Sequence, residues 1–246
     1  MKKTAILKMG HIKKSLGRSY DELIIAGMGL PKSDFVVFDI PDGDELPGDF
    51  DYKGLVISGS SLMLTNEIEW LDKVSNWILK AVNKNIPIFG ICFGHQILTY
   101  ALGGKVDYNP KGIEVGTKTV NLQPEAKNDK LFCIFDKELS AQTSHVQTVS
   151  ALPKGAVSFA TSEMEEHHII RFADNIWGVQ YHPEFDEKII RMIIGGKARR
   201  YPGKVNAEKL LKEARGTNDG NRILKRFGEI INNKQRLLAL QGKKTT

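Results

Sequence analysis

Only two cysteines, Cys92 and Cys133, occur in the 246 residues, too few for a disulfide framework. No apolar run approaches the roughly 18 residues that a membrane span requires. The opening Met1-Lys2-Lys3 leads into Thr4-Ala5-Ile6-Leu7, which Lys8 ends before it reaches the length of a signal core. These absences lead us to expect a cytoplasmic protein with two free thiols, beginning near Met1. Repeats, low-complexity tracts and long linkers are missing too. No Walker-type phosphate loop or nucleic-acid motif appears, and His167-His168 has no cysteine or carboxylate at zinc-site spacing. The expectation is no metal, no cofactor, no nucleic acid and no membrane. The His pair, with Glu163, Glu165 and Glu166, reads as an exposed charged turn. The formal charge of +6 is modest, and its densest cluster, Lys197, Arg199, Arg200 and Lys204, reads as solvated surface.

What is present is an alternation of short β-rich runs with helical periodicity, the pattern of an α/β fold with a largely parallel sheet. Strands are expected at Thr4–Met9, Phe35–Ile40, Leu55–Ser58, Pro87–Ile91 and Ile176–Tyr181. Helical spacing runs over Glu67–Val82 and His95–Leu102, where Gly103-Gly104 stops it. Val106–Phe172 is richer in turns and antiparallel strands. Ala207–Ala214 and Ile223–Ile231 are amphipathic, so 187–246 reads as a helical segment packed on a single domain of 1–246.

The most informative segment is Gly90-Ile91-Cys92-Phe93-Gly94-His95-Gln96. A cysteine flanked by glycines two positions away, between a strand and a helix, is the sulfur counterpart of the G-x-S-x-G elbow. Such a turn raises the nucleophile on a strained backbone and puts it at a helix N-terminus, where the macrodipole favours thiolate. The N–H of Phe93 then points to the same space, as an oxyanion donor would. Cys133, among Leu131, Phe132, Ile134 and Phe135, has no such setting and reads as an inert buried thiol.

Among six histidines, His182 stands out because it follows the strand Gly178-Val179-Gln180-Tyr181 and precedes Pro183-Glu184. Residues two apart in extended backbone share a face. Glu184 is thus placed to orient His182, as the acid of a hydrolytic triad does.

These two motifs resemble those of the class I (triad) glutamine amidotransferases, the glutaminase domains that feed ammonia to synthases such as GMP synthase. The resemblance runs from about Thr4 to about Phe185. It implies a single-domain, flavodoxin-like α/β fold with a largely parallel central sheet flanked by helices. It implies a Cys92–His182–Glu184 triad that hydrolyses the side-chain amide of glutamine through a γ-glutamyl thioester, the ammonia passing to a separate synthase subunit. It also implies that the Ser58-Gly59-Ser60 loop lends the N–H of Gly59 to the oxyanion beside that of Phe93. Gln96, Ser144 and His145 would then hold the amino-acid end of the substrate, the last two largely through their backbone.

Two departures bear on substrate. Many synthase-linked members carry Gly-Gly-Pro where this chain has Ser58-Gly59-Ser60, and an aspartate where it has Gln147. The Ser-Gly-Ser loop is similar to that of stand-alone members such as γ-glutamyl peptidases, which cleave larger γ-glutamyl compounds. A non-catalytic binding module on the same fold is the alternative of another class, and the complete triad weighs against it.

Overall fold

The structure, a computed structural model, describes residues 2–12 and 17–242, of which 234–242 by backbone alone. In chain order the elements are β1 (Thr4–Lys8), α1 (Tyr20–Met28), β2 (Phe35–Asp39), β3 (Gly54–Ile57), α2 (Leu71–Asn83), β4 (Ile88–Ile91) and α3 (Phe93–Ala101). Then come β5 (Lys105–Tyr108), β6 (Glu114–Leu122), β7 (Glu138–His145), β8 (Gln147–Ala151), β9 (Val157–Thr161), β10 (Ile169–Ala173) and β11 (Ile176–Val179). The helices α4 (Glu187–Arg200), α5 (Ala207–Glu213) and α6 (Asp219–Gly242) follow.

Nine strands form one sheet in the order β2-β1-β3-β4-β11-β10-β9-β6-β7, and β5 pairs with β8 in a separate ribbon. From β2 to β11 every neighbour is parallel, and from β11 to β7 every neighbour is antiparallel. The division follows from the connections. Helical crossovers return the chain for parallel pairing, while the turn-rich middle of the sequence allows hairpins.

Period-two alternation sorts the buried strand residues onto two faces. Ala5, Leu7, Leu55, Ile57 and Ile88 pack with Val74, Trp77 and Ile78 of α2 and Ile97 and Leu98 of α3. Ile6, Val56, Phe89, Ile91 and Val179 pack on the other face with Ile24 and Met28 of α1 and Ile223, Leu224 and Phe227 of α6. Both faces are covered, which is why these strands read as continuous apolar runs.

Three differences from the sequence reading have clear causes. Helix α2 begins at Leu71, not Glu67, because Asn66 and Leu71 close tight turns onto Met63 and Ile68. Helix α1 was not expected, although Ser19 donates its N–H to Glu22 at 2.9 Å in the S-x-x-E pattern that opens helices. Cys133 is exposed instead of buried, since it lies on the outer side of a turn whose Leu131 and Phe132 are the buried residues.

Candidate active site

Parallel pairing brings the carboxyl ends of β3, β4 and β11 to one edge. Ile57 lies opposite Gly90, and Gly90 opposite Gly178. The residues just beyond these ends, Gly59, Cys92 and His182, therefore converge, at the position where open α/β sheets hold ligands.

Cys92 connects β4 to α3 with φ +49° and ψ −100°, a strained backbone for a residue with a Cβ, costing about 1–3 kcal/mol. The glycines beside it are required by contact. A Cβ on Gly90 would meet the Gly94 carbonyl oxygen at 2.5 Å, and one on Gly94 the Ile57 carbonyl oxygen at 2.2 Å. Phe93 opens α3, so its N–H belongs to the first turn, whose donors have no acceptor within the helix. On the facing loop, Ser58 receives the N–H of Met9 at 2.9 Å and donates to the Gly59 carbonyl at 3.0 Å. A Cβ on Gly59 would lie 2.6 Å from His182 Cε1, so only glycine lets that backbone approach the imidazole.

His182 is buried, and its Nδ1 donates to Glu184 Oε1 at 2.7 Å. Its ring stacks on Phe185, with centroids 4.0 Å apart and planes 3° from parallel, and Tyr20 lies beside both. The His182 N–H is tied to the Gln142 carbonyl at 2.8 Å, anchoring the turn to β7. Burial tends to raise the Cys92 thiol, but the charge and hydrogen bonding of His182, with His145 and Lys197 further off, bring it below the ordinary value. Burial works the other way on His182, and the charges of Glu184 and Cys92 overcome it, pushing the imidazole up to about 10. Both shifts act in the direction of a thiolate–imidazolium pair beside the Glu184 carboxylate.

Behind Cys92 lies a polar network that the sequence reading did not foresee. Gln180 donates to Cys92 Sγ at 3.6 Å, and Gln96 Nε2 donates to Gln180 Oε1 at 3.0 Å and to the Gln147 carbonyl at 3.2 Å. With both hydrogens committed, Gln96 offers the cleft its Oε1. Gln147, in the place of the expected aspartate, accepts the Leu64 N–H at 2.7 Å and donates to Thr65 at 2.7 Å, fastening the 62–65 loop to the cleft. Gln180 shares the parity of His182 and Glu184, the signal that marks it in the sequence.

His145 is fixed by charge. The β6–β7 register sets it opposite Glu114. Its Nε2 donates to Glu114 Oε2 at 2.9 Å while its Nδ1 faces the Gln147 carbonyl at 3.0 Å. With an acceptor at each nitrogen the ring suits the imidazolium form, and both nitrogens are committed to protein partners. His168 reaches the same carboxylate oxygen at 3.0 Å, and Ser162 donates to the other at 2.7 Å. Burial tends to raise Glu114, but its bonds to His145 and His168 and their charges hold it well below the usual carboxylate range. Burial likewise lowers His145, and Glu114 raises it above its ordinary value.

This corrects the reading of 163–168 as an exposed turn. His168 and Glu165 are buried in this network, His167 is half-buried, and only Glu163 and Glu166 are exposed. Glu114, His145 and His168 lie close enough to share an ion, as do His11, Asp39 and Asp42 at the surface. In the first set the contacts to Glu114 are imidazole hydrogen bonds.

The cleft has a volume of about 300 Å³. Cys92, Gln96, Ser144, His145 and His182 line it, and Tyr20, Phe185 and the cationic end of α4 complete it. The basic cluster expected as solvated surface is thus divided, with Lys197 and Arg200 in the cleft.

A largely parallel sheet with an elbow cysteine and a buried imidazole–carboxylate pair at its carboxyl edge defines a hydrolytic α/β enzyme of flavodoxin-like fold. The model of the glutamine amidotransferase class-I family matches residues 16–191, and the chain belongs to that family. Over 200 residues it is 32% identical to gamma-glutamyl peptidase 4 of Arabidopsis thaliana, covering 76% of this chain and 78% of that one. It is 33% identical over 142 residues to one subunit of the glutamine-hydrolyzing GMP synthase of Methanocaldococcus jannaschii, 57% of this chain and 69% of that one. Its fold is similar to that of a glutamine amido transferase from Methylobacillus flagellatus, with a TM-score of 0.73 at 24% identity over 95% of each chain. Among the described residues no helix is long and apolar enough to cross a membrane.

Proposed function

We propose that the chain hydrolyses the γ-glutamyl amide bond by acyl transfer to Cys92. The thiolate attacks the side-chain carbonyl carbon of glutamine, and the N–H groups of Gly59 and Phe93 receive the developing oxyanion. His182, as imidazolium oriented by Glu184, protonates the departing nitrogen, which leaves as ammonia. The now neutral His182 takes a proton from water, and the hydroxide attacks the γ-glutamyl thioester. Glutamate leaves, and the thiolate–imidazolium pair is restored. Gln96 and the backbone of Ser144-His145 hold the amino-acid end. The observation that carries this reading is His182, bonded to Glu184 at 2.7 Å and facing the elbow thiol whose pKa it lowers.

Glutamine is the simplest substrate, with the ammonia released to a separate synthase protein, as the similarity to the Methanocaldococcus jannaschii GMP synthase suggests. A second reading, a stand-alone γ-glutamyl peptidase, is favoured by the Ser58-Gly59-Ser60 loop and by similarity to gamma-glutamyl peptidase 4 over three quarters of both chains. The test is glutamate release from glutamine and from γ-glutamyl-glycine, by wild type and by Cys92→Ala. Cys92-dependent release from either compound supports the chemistry, and the faster substrate chooses between the readings. Release that survives in Cys92→Ala refutes the mechanism.

A further inference from the structure

Helix α4 starts directly after the His182–Glu184 turn, with Asp186 capping it through the Ile189 N–H at 2.8 Å. Ile190 and Ile194 bury one side of the helix against Val115. The adjoining stripe, Met192, Ile193, Gly196, Lys197 and Arg200, recurs at one- and three-residue spacing and forms a wall of the cleft. The wall is apolar near the turn and cationic at its far end.

The two cations differ from Arg191 on the same helix. Arg191 is fully used inside the protein, bonded to Glu187 at 2.8 Å and to the Leu211 and Ala214 carbonyls at 2.8 and 2.9 Å. Among the described residues, Lys197 and Arg200 have no carboxylate within ion-pair distance, and their charged groups lie 5.6 Å from the Tyr201 ring. Positive charge at a helix C-terminus complements the macrodipole, and exposed Arg199 supplies that without entering the cleft. It does not explain why a half-buried lysine should face the site with an arginine one turn away. Burial pulls Lys197 below its ordinary value and Arg200 adds to this, while the Cys92 thiolate opposes them. An incoming anion would relieve both cations.

We propose that Lys197 and Arg200 form a carboxylate subsite that binds a free carboxylate of the γ-glutamyl substrate. The inference rests on the γ-glutamyl reading above and adds the part of the ligand that α4 recognises. Two carboxylates share this chemistry, the α-carboxylate of the glutamyl half and the terminal carboxylate of an amino acid joined through the γ-amide. Arginine's fork and lysine's point charge together suit a planar anion held against an otherwise apolar wall.

The experiment is calorimetric binding to full-length Cys92→Ala protein, which keeps the probe intact. The probes are γ-glutamyl-glycine, the same dipeptide with the glycine carboxylate amidated, and the dipeptide with the glutamyl α-carboxylate amidated. Amidating the recognised carboxylate should weaken binding about tenfold or more, the scale of a charge-assisted hydrogen bond. The arm whose penalty depends on Lys197 and Arg200 identifies the carboxylate they hold. Adding Lys197→Met and Arg200→Gln should shrink that penalty to about twofold or less, whereas exchanging the pair, Lys197→Arg with Arg200→Lys, should preserve much of it. Binding insensitive to both caps, or cap penalties that all survive the neutral double variant, overturn the subsite and leave the γ-glutamyl reading intact. Failure of every γ-glutamyl dipeptide to bind overturns the subsite and the peptidase reading together, while glutamine hydrolysis stands or falls by the glutamate-release assay.

Discussion

At the residue scale the chemistry depends on two coupled protons. Protonating Cys92 below its lowered pKa removes the nucleophile, and removing the proton of His182 toward about 10 removes the acid for the leaving amine. The predicted pH–rate profile is a bell with a broad top, whose two apparent pKa values belong to the pair. Its alkaline limb should lie well above the ordinary imidazole value. A wild-type limb at about 6.5 would contradict the ion pair. Glu184→Gln should bring that limb down and slow turnover by less than the roughly 10²–10⁴-fold that a positioned acid–base group supplies. Turnover by the variant as fast as wild type would deny Glu184 an orienting role. The sequence shows why these residues pair: Gln180, His182 and Glu184 share one parity of a strand end, and Cys92 sits between glycines. It does not show Tyr20, whose contact with His182 depends on where α1 docks.

At the element scale, the carboxyl ends of β3, β4 and β11 converge because they are parallel, and the sequence announces this through its apolar runs. Less legible was the middle of the chain. Glu114 and His145 are far in sequence from Glu165 and His168, and the last two look like surface charge, because the partners are chosen by the β6–β7 register and by the turn before β10. The Glu114 network should therefore be a strong stability element. Replacing Glu114 by alanine leaves buried imidazoles facing a void, and should cost about 3–5 kcal/mol in urea unfolding. The sign of its pH dependence follows from the two shifts. Glu114, depressed, contributes above its ordinary 4.5, and that stability is lost as pH falls below it. His145, raised, contributes fully below its ordinary 6.5, and that stability is lost as pH rises through its folded value. The Glu114→Ala penalty should thus be largest between these values, and a penalty that grows below pH 4 would contradict the charge assignment.

At the scale of the whole molecule, the expected α/β sheet is present, but the role of its C-terminal helices was only partly visible. The periodicity of Ile223–Ile231 identifies an amphipathic helix without naming its partner. In the structure α6 packs on the face of the sheet that also holds α1, and a Cβ on Gly220 would meet the Pro183 carbonyl at 2.2 Å, within the His182–Glu184 turn. The helices α4 to α6 should therefore unfold with the sheet, in one calorimetric transition that coincides with loss of the Cys92 site. A separate early transition of the helices, with the sheet still folded, would make them an appendage.

On the proposed mechanism a buried cysteine should outcompete an exposed one, because a thiolate placed to attack a γ-glutamyl carbonyl reacts first with an electrophile of that shape. Peptide mapping after brief reaction with a chloromethyl ketone analogue of glutamine tests this within one molecule, since Cys92 is buried and Cys133 exposed. The predicted result is rapid labelling of Cys92, slowed by added glutamine or γ-glutamyl-glycine, with Cys133 reacting slowly and without protection. Labelling of Cys133 alone, or of Cys92 without protection by either compound, would contradict it.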